Sequence, residues 1–245
     1  MKKSSKYLLV VSVLSFVIRL IPHRTGSVAS LDSYLHRDIS LRILEQGFSF
    51  FPSDILSILG FRPYSYPLGF HTIMGGLFKY IPQKYVIWFF PALLGTISAI
   101  LVYFVAQEVF EDKDISLVAA LFFSMVPSFI FRSAVIIPEN MGILFFLAVM
   151  LFSFKFVKTG SFNKKIIYSV IIAVIFFAYV LTHRGWVFLV ITLSLLVFMY
   201  YIWDLIVDDP KYIIIFPILA SPLIYEPFRD LVSQGLSRFP RSPVT

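Results

Sequence analysis

Asp32 and His36 stand four residues apart in Asp32-Ser-Tyr-Leu-His36, a spacing that puts both on one side of a helix. Glu139 is a lone acid in Phe131-Arg-Ser-Ala-Val-Ile-Ile-Pro-Glu-Asn140, and His183 and Arg184 lie between two apolar runs. A carboxylate can take the proton of an acceptor hydroxyl or hold an amide, so Asp32 and Glu139, with His36, are the catalytic candidates. Carboxylate oxygens also suit Mg²⁺ or Mn²⁺, and the same two acids are the candidate metal ligands. Arginine grips phosphate oxygens through paired charged hydrogen bonds. Arg37, Arg132 and Arg184, together with His183, are therefore the candidate substrate-binding residues. The whole set fits a lipid-linked phosphate, a divalent ion and a base for an acceptor.

Each residue also has a plainer reading. Asp32 can cap a helix whose first turn begins at Ser33, with Gly47 closing it, and Glu139 can cap the helix that follows it. Arg19, Arg132 and Arg184 can snorkel to lipid headgroups, and His183 can be an interfacial histidine. Their company decides the matter: three polar segments, far apart in sequence, all fall between apolar runs that put them on one membrane face.

The elements that must position them are apolar helices. The chain has 245 residues, 58% of them hydrophobic and 14% charged, against about 45–50% and about 25% for a soluble protein. Mean hydropathy is +0.85. This is an all-α polytopic membrane protein, and its +7 charge is loop charge that sets orientation, not a nucleic-acid signal. No cysteine is present, which excludes a disulfide framework and a thiolate metal site.

The basic start Met1-Lys-Lys-Ser-Ser-Lys6 and the run from Tyr7 to Pro22, apolar apart from Arg19, fit a signal peptide cleaved at Ser27-Val-Ala29 or a retained anchor, and the retained anchor with a cytoplasmic N-terminus is preferred because the rest of the chain is membrane-embedded. Further spans fall at roughly 85–107, 115–131, 141–157, 166–182, 186–203 and 211–225, giving about seven transmembrane helices. The run at 67–82 is short and carries Gly69, His71, Gly75, Gly76 and Lys79, so it is expected to lie in the membrane or on it without crossing. That choice puts Lys155, Lys158, Lys164 and Lys165 on the same side as Lys2, Lys3 and Lys6, as the positive-inside rule requires. The first outer loop, about 23–84, then carries an amphipathic helix, with Leu35, Ile39 and Ile43 on its apolar side. The active face is extracytoplasmic. Residues 1–225 form the transmembrane catalytic region, and 226–245 form an outer-side tail, the expected start of a further C-terminal part.

The order of four short motifs carries a resemblance. Ile18-Arg-Leu-Ile-Pro22, Asp32-Ser-Tyr-Leu-His36, Tyr66-Pro-Leu-Gly-Phe-His71 and Arg132-Ser through Glu139-Asn140 resemble the N-terminal half of a GT-C glycosyltransferase. The similarity is greatest to the catalytic subunit of oligosaccharyltransferase. It implies that Asp32 is the first-loop catalytic acid, that His36 is the motif histidine, and that Glu139 and Asn140 match the second-loop motif. It also implies a polyprenyl-phosphate or -diphosphate donor, a protein or glycan acceptor, and a Tyr-Pro stretch that does not cross. Two positions depart from the family pattern: Asp38 stands where an Arg is common, and Met141 where a second acid is usual. The competing class is a non-catalytic membrane subunit or a lipid-linked-glycan transporter, which would need charge along a central path within the spans.

Overall fold

The computed structural model describes residues 3–22, 31–46 and 67–204, and every described element is helical. The chain divides into two compact units, Met1–Gly185 and Trp186–Thr245. In the first unit α1 is Lys3–Leu20, α2 Leu31–Gln46, α3 Gly69–Tyr80, α4 Gln83–Phe110, α5 Lys113–Met125, α6 Pro127–Arg132, α7 Pro138–Lys158 and α8 Phe162–Thr182. The second unit is described as α9, Trp186–Asp204. The expected span at 211–225, the tail 226–245 and the Gly47 cap lie outside the described residues.

Three helices, α4, α7 and α8, are long and apolar enough to cross a membrane. α8 exposes Ile166, Ile167, Val170, Val174 and Phe177, as a helix facing lipid should. α1 buries Val11, Ser15 and Arg19 at four-residue spacing and exposes Leu9, Val10, Val13 and Val17. Val11 packs with Tyr103 of α4 and Ala120 of α5. Pro91, Ala92, Gly95, Ser98 and Ala99 of α4 are buried, and such small side chains let neighbouring helices approach closely.

Proline sets two boundaries. The expected span at 115–131 is broken, because Pro127 forces Val126 into an extended conformation (φ −61°, ψ 117°) and ends α5 at Met125. The apolar run therefore becomes α5 and the six-residue α6. Pro138 opens α7, where its fixed φ suits the first helical position.

Ion pairs mark one end of the bundle. Lys158 Nζ lies 2.6 Å from Glu111 Oε1, and Lys155 Nζ lies 3.9 Å from Glu108 Oε1. The α4–α5 and α7–α8 turns, which carry these charges, therefore share an end, as expected for the basic loops. Asp112 caps α5 there, its Oδ1 accepting from Asp114 N at 2.7 Å and Ile115 N at 2.9 Å.

At the opposite ends of α7 and α8 lie α2 and α3. α3 has 12 residues, about 18 Å of helix, shorter than a hydrocarbon core of about 30 Å. Its backbone lies against the end of α8: a Cβ on Gly69 would stand 2.5 Å from the Leu181 carbonyl oxygen. It lies equally close to α2, since a Cβ on Gly75 would stand 2.7 Å from Ser40 O.

That close crossing corrects the reading of α2. Ile39 and Ile43 are buried beside Leu68, but Leu35 is exposed. The buried face runs through Ser33, His36, Ser40 and Ile43, so small and polar side chains meet α3 where an apolar stripe was expected. Leu35 falls outside it. The helix also begins at Leu31, which places Asp32 inside the first turn and not before it as a cap.

Candidate active site

Four elements supply the site. α2 contributes Asp32, His36 and Arg37; α3 contributes His71; the segment 133–137 leads into α7 with Glu139 and Asn140; and the turn after α8 contributes His183 and Arg184.

His36 is the point where they meet. Its side chain is buried, and burial lowers its pKa from the usual histidine value. The negative charges of Glu139 and Asp32 oppose that shift, while His183 adds to it. The interaction is electrostatic and falls off with distance, so residues from three segments of the chain lie around one imidazole. Asp32 is exposed, and Glu139 Oε2 is buried with no hydrogen-bond partner. A carboxylate oxygen desolvated in this way is set to accept a proton, a donor N–H or a cation.

The second-loop segment is held from two sides. Asn140 Nδ2 donates to Arg132 O at 3.1 Å and to Val135 O at 2.8 Å, so the asparagine next to Glu139 ties down the turn that leads to it. Arg19 reaches the same turn from α1: its Nε donates to Ser133 Oγ at 2.7 Å, and its Nη1 donates to Ser15 O at 2.8 Å and Ser15 Oγ at 2.6 Å. Its guanidinium stands 5.0 Å from the centre of the Phe129 ring. Arg19 therefore does not snorkel. It is fully buried, and Gly95 of α4 leaves the space it occupies.

His183 is fixed as firmly. Its ring stacks on Tyr179 at 6.0 Å and lies over Gly142, where a Cβ would stand 2.6 Å from Nδ1. Gly185 N donates to His183 Nδ1 at 2.9 Å, so Nδ1 is an acceptor and the proton of the neutral ring sits on Nε2. Burial first, and then the charge of Arg184, push its pKa down to about 4.

The arginines divide. Arg184 follows His183 and stays exposed. Arg37 Nε donates to Gln83 Oε1 at 3.2 Å and thereby ties α2 to the start of α4. Arg132 is exposed at the end of α6, and among the described residues no hydrogen bond or ion pair joins its side chain to Glu139 or His36.

His71 was not among the site residues expected from the sequence. Its Nε2 lies 2.9 Å from His36 Nδ1, with the rings 5.1 Å apart and Phe70 packed edge-on against both. The available signal was the histidine that ends Tyr66-Pro-Leu-Gly-Phe-His71, at the start of the 12-residue α3.

A divalent ion can be tested against these groups. Among the described residues no group of three or more His, Asp and Glu side chains forms a metal cluster. Mg²⁺, however, is commonly held by one or two carboxylates, with water and substrate phosphates as its other ligands. Asp32 and the unpartnered Oε2 of Glu139 fit that pattern.

Residues 24–227, which hold every side chain named above except those of α1, match the family model described as oligosaccharyl transferase STT3, N-terminal. No curated protein matches the chain.

Proposed function

The chain belongs to the oligosaccharyl transferase STT3 N-terminal family, and from that premise we propose that it transfers a sugar or glycan from a polyprenyl-phosphate or -diphosphate donor on the extracytoplasmic face of a membrane. The observation that carries this reading is His36 in the combined field of Glu139, Asp32 and His183, at the end of the bundle away from the lysine-bearing turns. The positive-inside rule then makes the lysine end cytoplasmic, with the N-terminus, and the site extracytoplasmic.

The transfer is a displacement at the anomeric carbon. The bond from that carbon to the phosphate oxygen breaks, and its electron pair leaves on the phosphate. The acceptor oxygen or nitrogen of a protein or glycan forms the new bond, and its proton passes to a carboxylate. Asp32, exposed beside His36, takes that proton or holds the acceptor in line. Glu139 is the second carboxylate, fixed by Asn140 and the Arg19–Ser133 bond. Arg184 and Arg132, both exposed, would hold phosphate oxygens, and Arg37 keeps α2 in place through Gln83. His183, with its proton on Nε2, donates to a donor or acceptor oxygen. Mg²⁺ or Mn²⁺ held by Asp32 and Glu139 would neutralise charge on the departing phosphate.

The test is a transfer assay in membranes with a synthetic polyprenyl-diphosphate glycan, with and without chelator. Product formation that chelation abolishes supports both the enzyme and the ion. Donor movement across the bilayer without product would make the chain a transporter.

A further inference from the structure

α4 fixes the height of the membrane surface at the α3–α4 turn. Val86 to Ala106 carries no charged residue and makes about 31 Å of helix, which matches a hydrocarbon core of about 30 Å. Gln107 and Glu108 stand just beyond one end of that run, and Lys84 and Tyr85 just beyond the other. Ile81 and Pro82, which join α3 to α4, therefore lie at headgroup level with the residues on either side of them.

The side chains there suit that level. Tyr80, Ile81 and Tyr85 are exposed, and Tyr and Trp rings favour the boundary between hydrocarbon and water. Two lysines each lie over a ring: Lys79 Nζ stands 5.6 Å from the centre of Tyr80, and Lys84 Nζ stands 5.0 Å from that of Trp88. A ring face attracts an ammonium but supplies no acceptor oxygen for its N–H groups. Both lysines are exposed, and among the described residues no carboxylate pairs with either. The other end of α4 is different, because Glu108 and Glu111 there face Lys155 and Lys158. At that end the basic charge is answered within the protein; at the α3–α4 corner it is left for a partner.

We propose that the α3–α4 corner binds the headgroup of an anionic phospholipid, whose phosphate oxygens accept from the ammonium groups of Lys79 and Lys84 while Tyr80, Tyr85 and Trp88 pack at the level of its glycerol. A zwitterionic lipid carries its own cation, which competes for the same phosphate oxygens and repels the lysines, so the anionic headgroup is the one selected. The corner is joined to α2, since Gln83 Oε1 accepts from Arg37 Nε at 3.2 Å. The bound lipid is thus one hydrogen bond from the helix that carries Asp32 and His36. The binding does not depend on the transferase reading.

Trp88 reports the occupant. In the full chain with Trp186→Phe and Trp203→Phe it is the one tryptophan left of three. The protein is placed in phosphatidylcholine bilayers that contain a small share of brominated phosphatidylglycerol or brominated phosphatidylcholine, and quenching of Trp88 gives the relative affinity of the two lipids. Phosphatidylglycerol should be preferred by about fivefold for each lysine. Lys79→Gln with Lys84→Gln should bring the two lipids level, and Lys79→Arg with Lys84→Arg should keep the preference. Native mass spectrometry of the chain with its tryptophans intact gives the same comparison: phosphatidylglycerol should stay bound to the parent and to the arginine pair, and be lost from the glutamine pair. Equal affinity for the two lipids in the parent, or a preference that survives the glutamine pair, would overturn the proposal. Displacement of the brominated phosphatidylglycerol by one equivalent of polyprenyl phosphate would also overturn it, by making the corner part of the donor site.

Discussion

Arg19 Nε and Ser133 Oγ are 2.7 Å apart, although 114 residues separate them in sequence. The bond joins the first helix to the turn that delivers Glu139, and Asn140 closes the same turn from the other side. The acid thus sits on a braced segment between two helices and not on a free loop.

Gly95→Ala tests that brace. The new methyl would collide with Arg19 Nε and stand 2.8 Å from Ser133 Cβ. Overpacking of this kind costs about 1–3 kcal/mol. The variant should unfold at lower temperature in detergent and be cut by protease more readily after Arg132. An unchanged Tm with unchanged cleavage would mean that α1 and α4 have room to separate.

Asn140→Leu keeps most of the volume and removes both donors. The buried Val135 carbonyl loses its Asn140 donor, at about 1–3 kcal/mol, while the Arg132 carbonyl keeps the Val135 N–H at 3.3 Å. Transfer should fall because Glu139 is no longer held, and the Tm should fall with it. A variant as active and as stable as the parent would show that the turn holds its shape without Asn140.

Much of this arrangement was legible in the sequence. The apolar runs gave the helices, the lysines their common end, and the glycines of 67–82 a short helix of 12 residues. The break at Val126 was also written there, in Pro127, but the run of apolar residues on both sides hid it. What could not be read was which face of a helix meets another. Leu35 was expected inside α2's buried face, and Ser33, His36 and Ser40 lie there because Gly75 lets the two backbones approach. Arg19 looked like a headgroup anchor, since its hydrogen-bond partner lies in a distant turn and its space is made by a glycine on another helix. His71 is a partner of His36 for the same reason: a contact between helices has no signature within either.

Acid should loosen the α2–α3 end first. His71 and His183 have folded-state pKa values near 3 and 4, and that of His36 is also lowered, so the unfolded chain protonates before the folded one as pH falls below about 6.5. Their contribution is fully present above that value and is lost as pH falls toward the folded pKa values. Thermal unfolding in detergent should show a Tm that drops between about pH 7 and pH 5, ahead of carboxylate titration. A Tm that is flat across this window would contradict the neutral, buried state of these rings.

Orientation can be read chemically, because the chain has no native cysteine. Asp38 and Ser161 are both exposed and lie at opposite ends of the fold. An impermeant thiol reagent applied to intact cells should label Asp38→Cys and leave Ser161→Cys unlabelled. Labelling of Ser161→Cys from outside would invert the site's side or require a further crossing.

The most direct measurement is the rate of glycan transfer by Asp32→Asn and Glu139→Gln, each in lipid with a polyprenyl-diphosphate donor. Both substitutions keep shape and remove only the charge and the proton-accepting oxygen. The account predicts that each lowers the rate by about a hundredfold or more, the scale of losing a general base, with insertion and Tm unchanged. Wild-type rates in both variants would contradict it and would leave the acids around His36 without a part in the reaction.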